Sequence, residues 1–346
     1  MTKAVAFEEF EIPAGIARYV NVPLVGEAAK RAKAVRRLRI PHLRFQEGLE
    51  ALLAHHMMFD PAGSESSVLM FAGKTGAGKS RTLRHYANQF PLIETETGVV
   101  RRVLYVHVPP GVDRYSIQRR MMAALGTPVL GRIHPDQLSL AIDLQLVEQK
   151  VELIIFDESN HMVDMRTNKT QFLVADVVKE FTNWNNGQIV IAGLMSSLMI
   201  VEVNLQLHRR VSGRFEVKQY SWHEEGDQKE FLNFIAEVAD QLSWFARRPP
   251  LDDKKDLGWR IHLATAGLVG LVIVLTAKAV EIATRLEASN LERAHLADAF
   301  DVLKPVGTIG NPFSSGRPNV KFPDGFEAIF DRNPDETSTV RRELVP

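Results

Sequence analysis

Apolar positions along the chain follow two rhythms. Short apolar runs at Val68–Ala72, Leu153–Phe156 and Ile189–Ala192, with Arg102–Val108 and Phe215–Gln219, read as strands, and Leu153–Phe156, fully apolar, as one covered on both faces. Between them the spacing predicts helices over Lys79–Gln89, Tyr115–Leu125, Pro135–Lys150 and Thr170–Trp184. Pro109-Pro110-Gly111, Gly126 and Asn185-Asn186-Gly187 punctuate the alternation. Strand–helix alternation of this kind predicts an α/β fold with a five-stranded parallel sheet. After Trp222 the strand rhythm stops. Glu224–Phe245 and Ala264–Leu286 read as helices, and Ser289-Asn290-Leu291-Glu292 resembles a capping box that opens a last helix through Leu303. From Pro305 onward Pro, Gly, Asn and Ser accumulate and periodicity is lost, as in a flexible tail.

The N-terminal region divides by charge. Residues 1–27 lean acidic, whereas Ala28 to Arg44 holds seven Lys and Arg and no acid. Phe45–Met58 has the spacing of an amphipathic helix. Over all 346 residues, 42 basic and 42 acidic side chains cancel. A net charge of zero argues against a packaging protein but leaves local basic patches open. No cysteine is present, which excludes disulfides, a thiolate nucleophile and Cys-based metal sites. No secretory pattern opens the sequence, and the apolar stretch Leu263–Ala277 is shorter than the ~20 residues of a spanning helix, so a buried helix in a cytoplasmic protein is expected.

The chemistry concentrates after the first strand. Gly73-Lys74-Thr75-Gly76-Ala77-Gly78-Lys79-Ser80 fits G-x4-G-K-[S/T] between a strand and a helix. Glycines let the backbone curl so that successive N–H groups face phosphate oxygens, and the helix N-terminus adds positive potential. Lys79 supplies charge to the β- and γ-phosphates, and Ser80 a magnesium ligand. ATP and Mg2+ are therefore the expected cofactors. Leu153-Ile154-Ile155-Phe156-Asp157-Glu158 is an apolar strand ending in two acids, at the end where such sheets bind ligands. Asp157 is the expected second magnesium residue. Glu158 is placed to polarise a water for attack on the γ-phosphate.

Strand, P-loop, helix, Asp157-Glu158, a fourth strand, an arginine-rich segment and a helical lid together resemble the AAA+ ATPases. Leu38-Arg39-Ile40-Pro41-His42 before Phe45–Leu53, the extended motif Asp157-Glu158-Ser159-Asn160-His161-Met162, and Ile189–Gly193 followed by Leu205–Phe215 resemble the TniB/TnsC-type transposition ATPases, relatives of MuB and IstB. The resemblance covers roughly residues 38–300. It implies an N-terminal extension over 1–58, an AAA+ core over 59–222, a helical lid over 223–304 and a tail over 305–346. It adds Arg81 to the nucleotide contacts. It also implies that ATP is bridged by an arginine of a neighbouring subunit, with Arg210 and then Arg214 favoured over Arg209. Two departures from the family pattern point to slow hydrolysis. Gly193-Leu194-Met195 stands where a polar sensor follows strand four, with Ser196 the nearest hydroxyl, and Thr265–Leu271 has no arginine of the lid-sensor kind. His161 has two readings, packing or sensing of nucleotide or DNA.

In initiator-type relatives the helix after strand two follows the DNA backbone, so Arg114, Arg119 and Arg120 are candidates for phosphate contacts, with a merely solvated face as the alternative. The basic segment from Lys30 to Arg44 could meet DNA or an acidic partner, and the tail, with Phe313, Phe322 and Phe326, could fold onto a partner. The resemblance thus implies an ATP-dependent regulator that assembles on duplex DNA without sequence preference. The assembly would be a ring or a helical filament with a hexameric turn, recruiting a transposase and a target-selection protein. The alternative is an initiator-like or signalling ATPase that remodels a protein partner outside transposition.

Overall fold

The computed structural model describes residues 21–61, 66–96, 98–108, 113–129, 131, 133–159, 187–195, 208–316 and 320–323. The expected helix Thr170–Trp184 and His161 lie outside the described residues. In chain order the elements are α1 (Val22–Arg37), α2 (Leu43–His56), β1 (Val68–Gly73), α3 (Lys79–Asn88), β2 (Ile93–Thr95), β3 (Gly98–Val100), β4 (Val103–His107), α4 (Arg114–Ala124) and α5 (Pro135–Glu148). Then follow β5 (Leu153–Asp157), β6 (Gln188–Gly193), β7 (Val211–Val217), α6 (Glu225–Asp240), α7 (Leu257–Thr265), α8 (Val269–Arg285) and α9 (Arg293–Leu303). The chain forms two compact units: one spans Pro41–Tyr220, and the other joins the segment ending at Ile40 to Ser221–Pro323.

The first unit is built on a five-stranded sheet in the order β4-β5-β6-β1-β7, with every neighbouring pair parallel. Every residue of β1, β5 and β6 is buried, which is why these runs lack polar alternation. One face packs Leu104, Val106, Ile154 and Phe156 against Ile117 and Met121 of α4 and Leu138, Ile142 and Leu146 of α5. The other pleat face carries Phe71, whose ring lies 5.0 Å from that of Phe215, beneath α2 and α3. Gly48 of α2 permits that approach, since a Cβ there would meet the Phe71 ring at 3.2 Å and the Thr82 methyl at 3.1 Å. β2 and β3 form a separate antiparallel hairpin that the sequence pattern does not announce. Its six residues carry exposed or half-exposed side chains and therefore no burial rhythm.

The second unit is helical. α1 is capped by Asn21, which accepts from the Leu24 N–H, and carries Pro23 in its first turn. It packs against α8, burying Ala28 and Val35 and leaving Lys30, Lys33, Arg36 and Arg37 exposed. The basic segment is therefore split: its helical part belongs to this unit and Pro41 onward to the sheet unit. The expected helix Ala264–Leu286 is two helices. Ala266 and Gly267 take positive φ of 49° and 72°, and α7 and α8 meet at 114°. Both are largely buried, and among the described residues no single helix is long and apolar enough to cross a membrane. α9 begins at Arg293, three residues later than the Ser289 box implies. There the Glu292 N–H donates to His295 Nδ1 at 3.0 Å.

The segment after Pro305 is not wholly extended. Phe313 and Val320 are buried, and the backbones of Ile309 and Lys321 exchange two hydrogen bonds of 2.9 Å. Arg260 of α7, itself buried, donates to the carbonyls of Pro312, Ser314 and Gly316 and pairs with Asp256. Composition concealed this, because an arginine and a few isolated aromatics do what a periodic apolar face does elsewhere.

Candidate nucleotide site

The loop between β1 and α3 is shaped by three glycines. Gly76 and Gly78 have φ of 83° and 102°, in the region that L side chains avoid, and Gly78 is the N-cap of α3 without a side-chain cap. The N-terminus of α3 is therefore open, with its first amides facing the loop. A Cβ on Gly73 would stand 2.7 Å from the Val217 carbonyl oxygen, because Gly73 pairs with Val217 across β1 and β7. Lys79 is buried, and its Nζ donates to the carbonyls of Gly73 at 2.5 Å and Lys74 at 2.9 Å. The ammonium thus lies inside the loop. Lys74 Nζ reaches Gln219 Oε1 at 3.0 Å, tying the loop to the end of β7.

β5 brings Asp157 to the same place. It is fully buried, and its Oδ1 accepts from Ser80 Oγ at 3.1 Å and from the Glu158 N–H at 2.9 Å. Its Oδ2 accepts from the Tyr105 hydroxyl. Glu158 is half-buried and has a positive φ of 61°, a strained backbone for a residue with a side chain. Ser159 is fully buried and donates to the Ala192 carbonyl at 2.8 Å, which locks the ends of β5 and β6 together.

Of the sequence-derived residues, the structure brings together Gly73 to Ser80, Asp157 and Glu158. It adds two that the motifs do not contain. Tyr105 of β4 touches Asp157, and Arg84 of α3 donates to the Tyr105 hydroxyl at 3.0 Å. Burial, then the hydrogen bond to Asp157, pushes the Tyr105 hydroxyl far up, and the hydrogen bond to Tyr105 raises Arg84. The only sequence signal for them is a polar tip in an otherwise apolar strand and an arginine four residues past Ser80. Arg81 stands close enough to His42 for its charge to help hold that imidazole down, to about 4, although burial is the larger cause.

The arginines lie elsewhere. Arg210 is at the amino ends of the strands, where its carbonyl accepts from the Val68 N–H at 2.8 Å. That is five strand residues, roughly 17 Å, from Gly73. Arg209 precedes it and is exposed. Arg214 is exposed within β7 rather than ahead of it, opposite Met70, because the strand starts at Val211. By register, Arg214 lies three strand residues from Gly73. Arg119 is committed internally, donating to the Val129 carbonyl at 2.7 Å and the Gly131 carbonyl at 3.0 Å while its guanidinium lies over Tyr115. Arg120 is exposed, and the Arg114 side chain is outside the described residues.

The donor set fits a P-loop nucleotide site. Backbone amides, a buried ammonium and a hydroxyl facing a carboxylate are what a nucleoside triphosphate and a hard divalent cation require. Among the described residues no group of three or more His, Cys, Asp or Glu could hold a metal unaided, so a cation here would share its ligands with phosphate oxygens. The model of the family described as bacterial TniB protein matches residues 31–222, more than half of the sequence. The chain belongs to the TniB family. Its fold is that of the AAA+ ATPases. It is similar to the Aeropyrum pernix ORC1 protein, solved in complex with DNA, at 16% identity and a TM-score of 0.55, over 77% of this chain and 66% of that one. Similar too are Cdc6p from Pyrobaculum aerophilum (14%, TM-score 0.54, 75% and 67%) and Drosophila ORC bound to DNA (13%, TM-score 0.50, 86% and 70%). This TniB chain thus spans slightly under two-thirds of the length of the ORC1 protein. No curated protein sequence matches it.

Proposed function

We propose that this chain is an ATPase and a nucleotide-gated regulator of transposition that assembles on duplex DNA. The observation that carries the reading is the coincidence of the TniB family match with a P-loop whose Lys79, Ser80, Asp157 and Glu158 converge at the carboxyl ends of β1 and β5. ATP would be held by the loop from Gly73 to Arg81, with Lys79 on the outer phosphates. Ser80 and Asp157 would hold Mg2+, which supplies charge neutralisation at the transferred phosphoryl group. Glu158 would polarise the attacking water. Arg210 and Arg214 would act on the nucleotide of a neighbouring copy, a role worth 10³–10⁵ in rate where it is established.

ATP binding would favour assembly, and hydrolysis would release it. A transposase and a target-selection protein would be the partners. DNA binding to ORC1 and Drosophila ORC, both solved with DNA, makes duplex DNA the natural platform. Arg120 and the exposed basic face of α1 are the surfaces with charge to offer it. The ORC-like fold also favours the second reading, an initiator-like ATPase that remodels a protein partner.

Sedimentation on non-specific duplex DNA with and without ATP separates these readings. Assembly requiring both ATP and DNA, lost in Lys79→Ala and prolonged in Glu158→Gln, supports the first. ATP-dependent assembly indifferent to DNA supports the second. Assembly by Lys79→Ala equal to that of the natural chain would refute nucleotide gating.

A further inference from the structure

Ser80 and Arg84 stand one helical turn apart on α3, so their side chains leave the same face. The polar contacts between them close into a ring. Ser80 Oγ donates to Asp157 Oδ1 at 3.1 Å, the Tyr105 hydroxyl donates to Asp157 Oδ2, and Arg84 Nε donates to the Tyr105 oxygen at 3.0 Å. The Arg84 guanidinium carbon lies 5.7 Å from the Tyr105 ring centre.

The direction of each bond matters. A phenol has one proton and two lone pairs, and a guanidinium can only donate. Arg84 therefore occupies a lone pair of the Tyr105 oxygen and leaves its single proton for Asp157. A carboxylate on a single χ2 bond turns readily, because that torsion is broad. A donor fixed on Oδ2 stops the rotation and keeps Oδ1 towards Ser80. The two atoms best suited to a divalent cation, Ser80 Oγ and Asp157 Oδ1, are thus aligned from the other side of the carboxylate.

We propose that Tyr105 is a positioning residue that fixes the plane of the Asp157 carboxylate, that Arg84 orients the Tyr105 hydroxyl, and that this pair sets the site's affinity for its divalent cation. The proposal rests on the nucleotide-site reading above and deepens it.

The test uses Tyr105→Phe in the full chain. That change keeps the ring and its packing and removes one hydroxyl. The Mg2+ concentration giving half-maximal binding of a fluorescent ATP analogue is compared with the analogue's affinity in EDTA. Loss of a partner that orients a metal ligand costs 10–100-fold in metal affinity, so the Mg2+ midpoint should rise about tenfold. Affinity in EDTA should stay that of the natural chain. Arg84→Gln should move the midpoint the same way by a smaller factor.

An unchanged midpoint in Tyr105→Phe overturns the proposal. So does an equal loss of affinity with and without Mg2+, which would mark a packing defect. Should Tyr105→Phe fail to fold, an unchanged midpoint in Arg84→Gln overturns it alone. No analogue binding by the natural chain in either condition refutes the nucleotide reading itself, and this one with it, whereas an unchanged midpoint with normal binding refutes only the role of Tyr105.

Discussion

Acid should weaken the sheet unit through its buried histidines, and His55 is the one whose share can be isolated. His55 at the end of α2 is only 4% exposed, with Nε2 against the Ile189 carbonyl at 3.0 Å and Nδ1 against Ser212 Oγ at 3.1 Å. Burial lowers its pKa from the ordinary 6.5 to about 4, the Ile189 carbonyl working against the fall and His56 adding to it. The unfolded chain takes up the proton first. Stability is therefore full above pH 6.5, falls as pH drops from 6.5 towards 4, and loses nothing further from this group below 4. The linkage relation gives a loss of about 2 kcal/mol between pH 7.5 and pH 5. Urea unfolding followed by circular dichroism at those two pH values, in the natural chain and in His55→Gln, separates this share from those of His42 and His56. His55→Gln can still donate to the Ile189 carbonyl but cannot be protonated. Any constant penalty it carries cancels in the difference between the two pH values. The variant should lose about 2 kcal/mol less than the natural chain on acidification. An acid loss equal to that of the natural chain, to within ~0.5 kcal/mol, would refute neutral burial of His55.

Gly73→Ala forces a Cβ towards the Val217 oxygen and should cost about 1–3 kcal/mol on thermal unfolding, with weakened nucleotide binding; a neutral effect removes the close-approach argument. Arg120→Ala should lower the salt slope of DNA binding by about one, whereas Arg119→Ala should leave the slope alone and destabilise the segment around Val129; the opposite pattern would reverse their assignments. Arg260→Gln strands three carbonyls, and limited proteolysis should then cut the 308–323 segment faster than in the natural chain.

The parts of the fold that could be read from sequence share one property. β1, β5 and β6 are buried on both faces, so burial writes itself as an unbroken apolar run. The P-loop was visible because glycine spacing and a lysine are its local requirements. The bend between α7 and α8 was hidden because Ala266, an ordinary helix former, takes the left-handed conformation beside Gly267. The hairpin left no rhythm because it buries nothing fully. Arg119 looked like a free cation in sequence, since its acceptors are backbone carbonyls 10 and 12 residues away, and carbonyls have no letter in a sequence. Tyr105 and Arg84 are hidden for a related reason: Tyr105 meets Asp157, and Arg84 meets Tyr105, across the fold and not along the chain.

The packing of α1 against α8 has a consequence for synthesis. Roughly 230 residues separate the end of α1 from the start of α8. At 5–20 residues per second, ribosomes need on the order of ten to fifty seconds to cover that distance. Throughout that interval the Ala28 and Val35 face of α1 has no partner, while Pro41–Tyr220 emerges whole and can close its sheet. The order of emergence therefore favours a sheet unit that folds first and a helical unit completed last, with α1 waiting at the front of the chain for the helix that covers it.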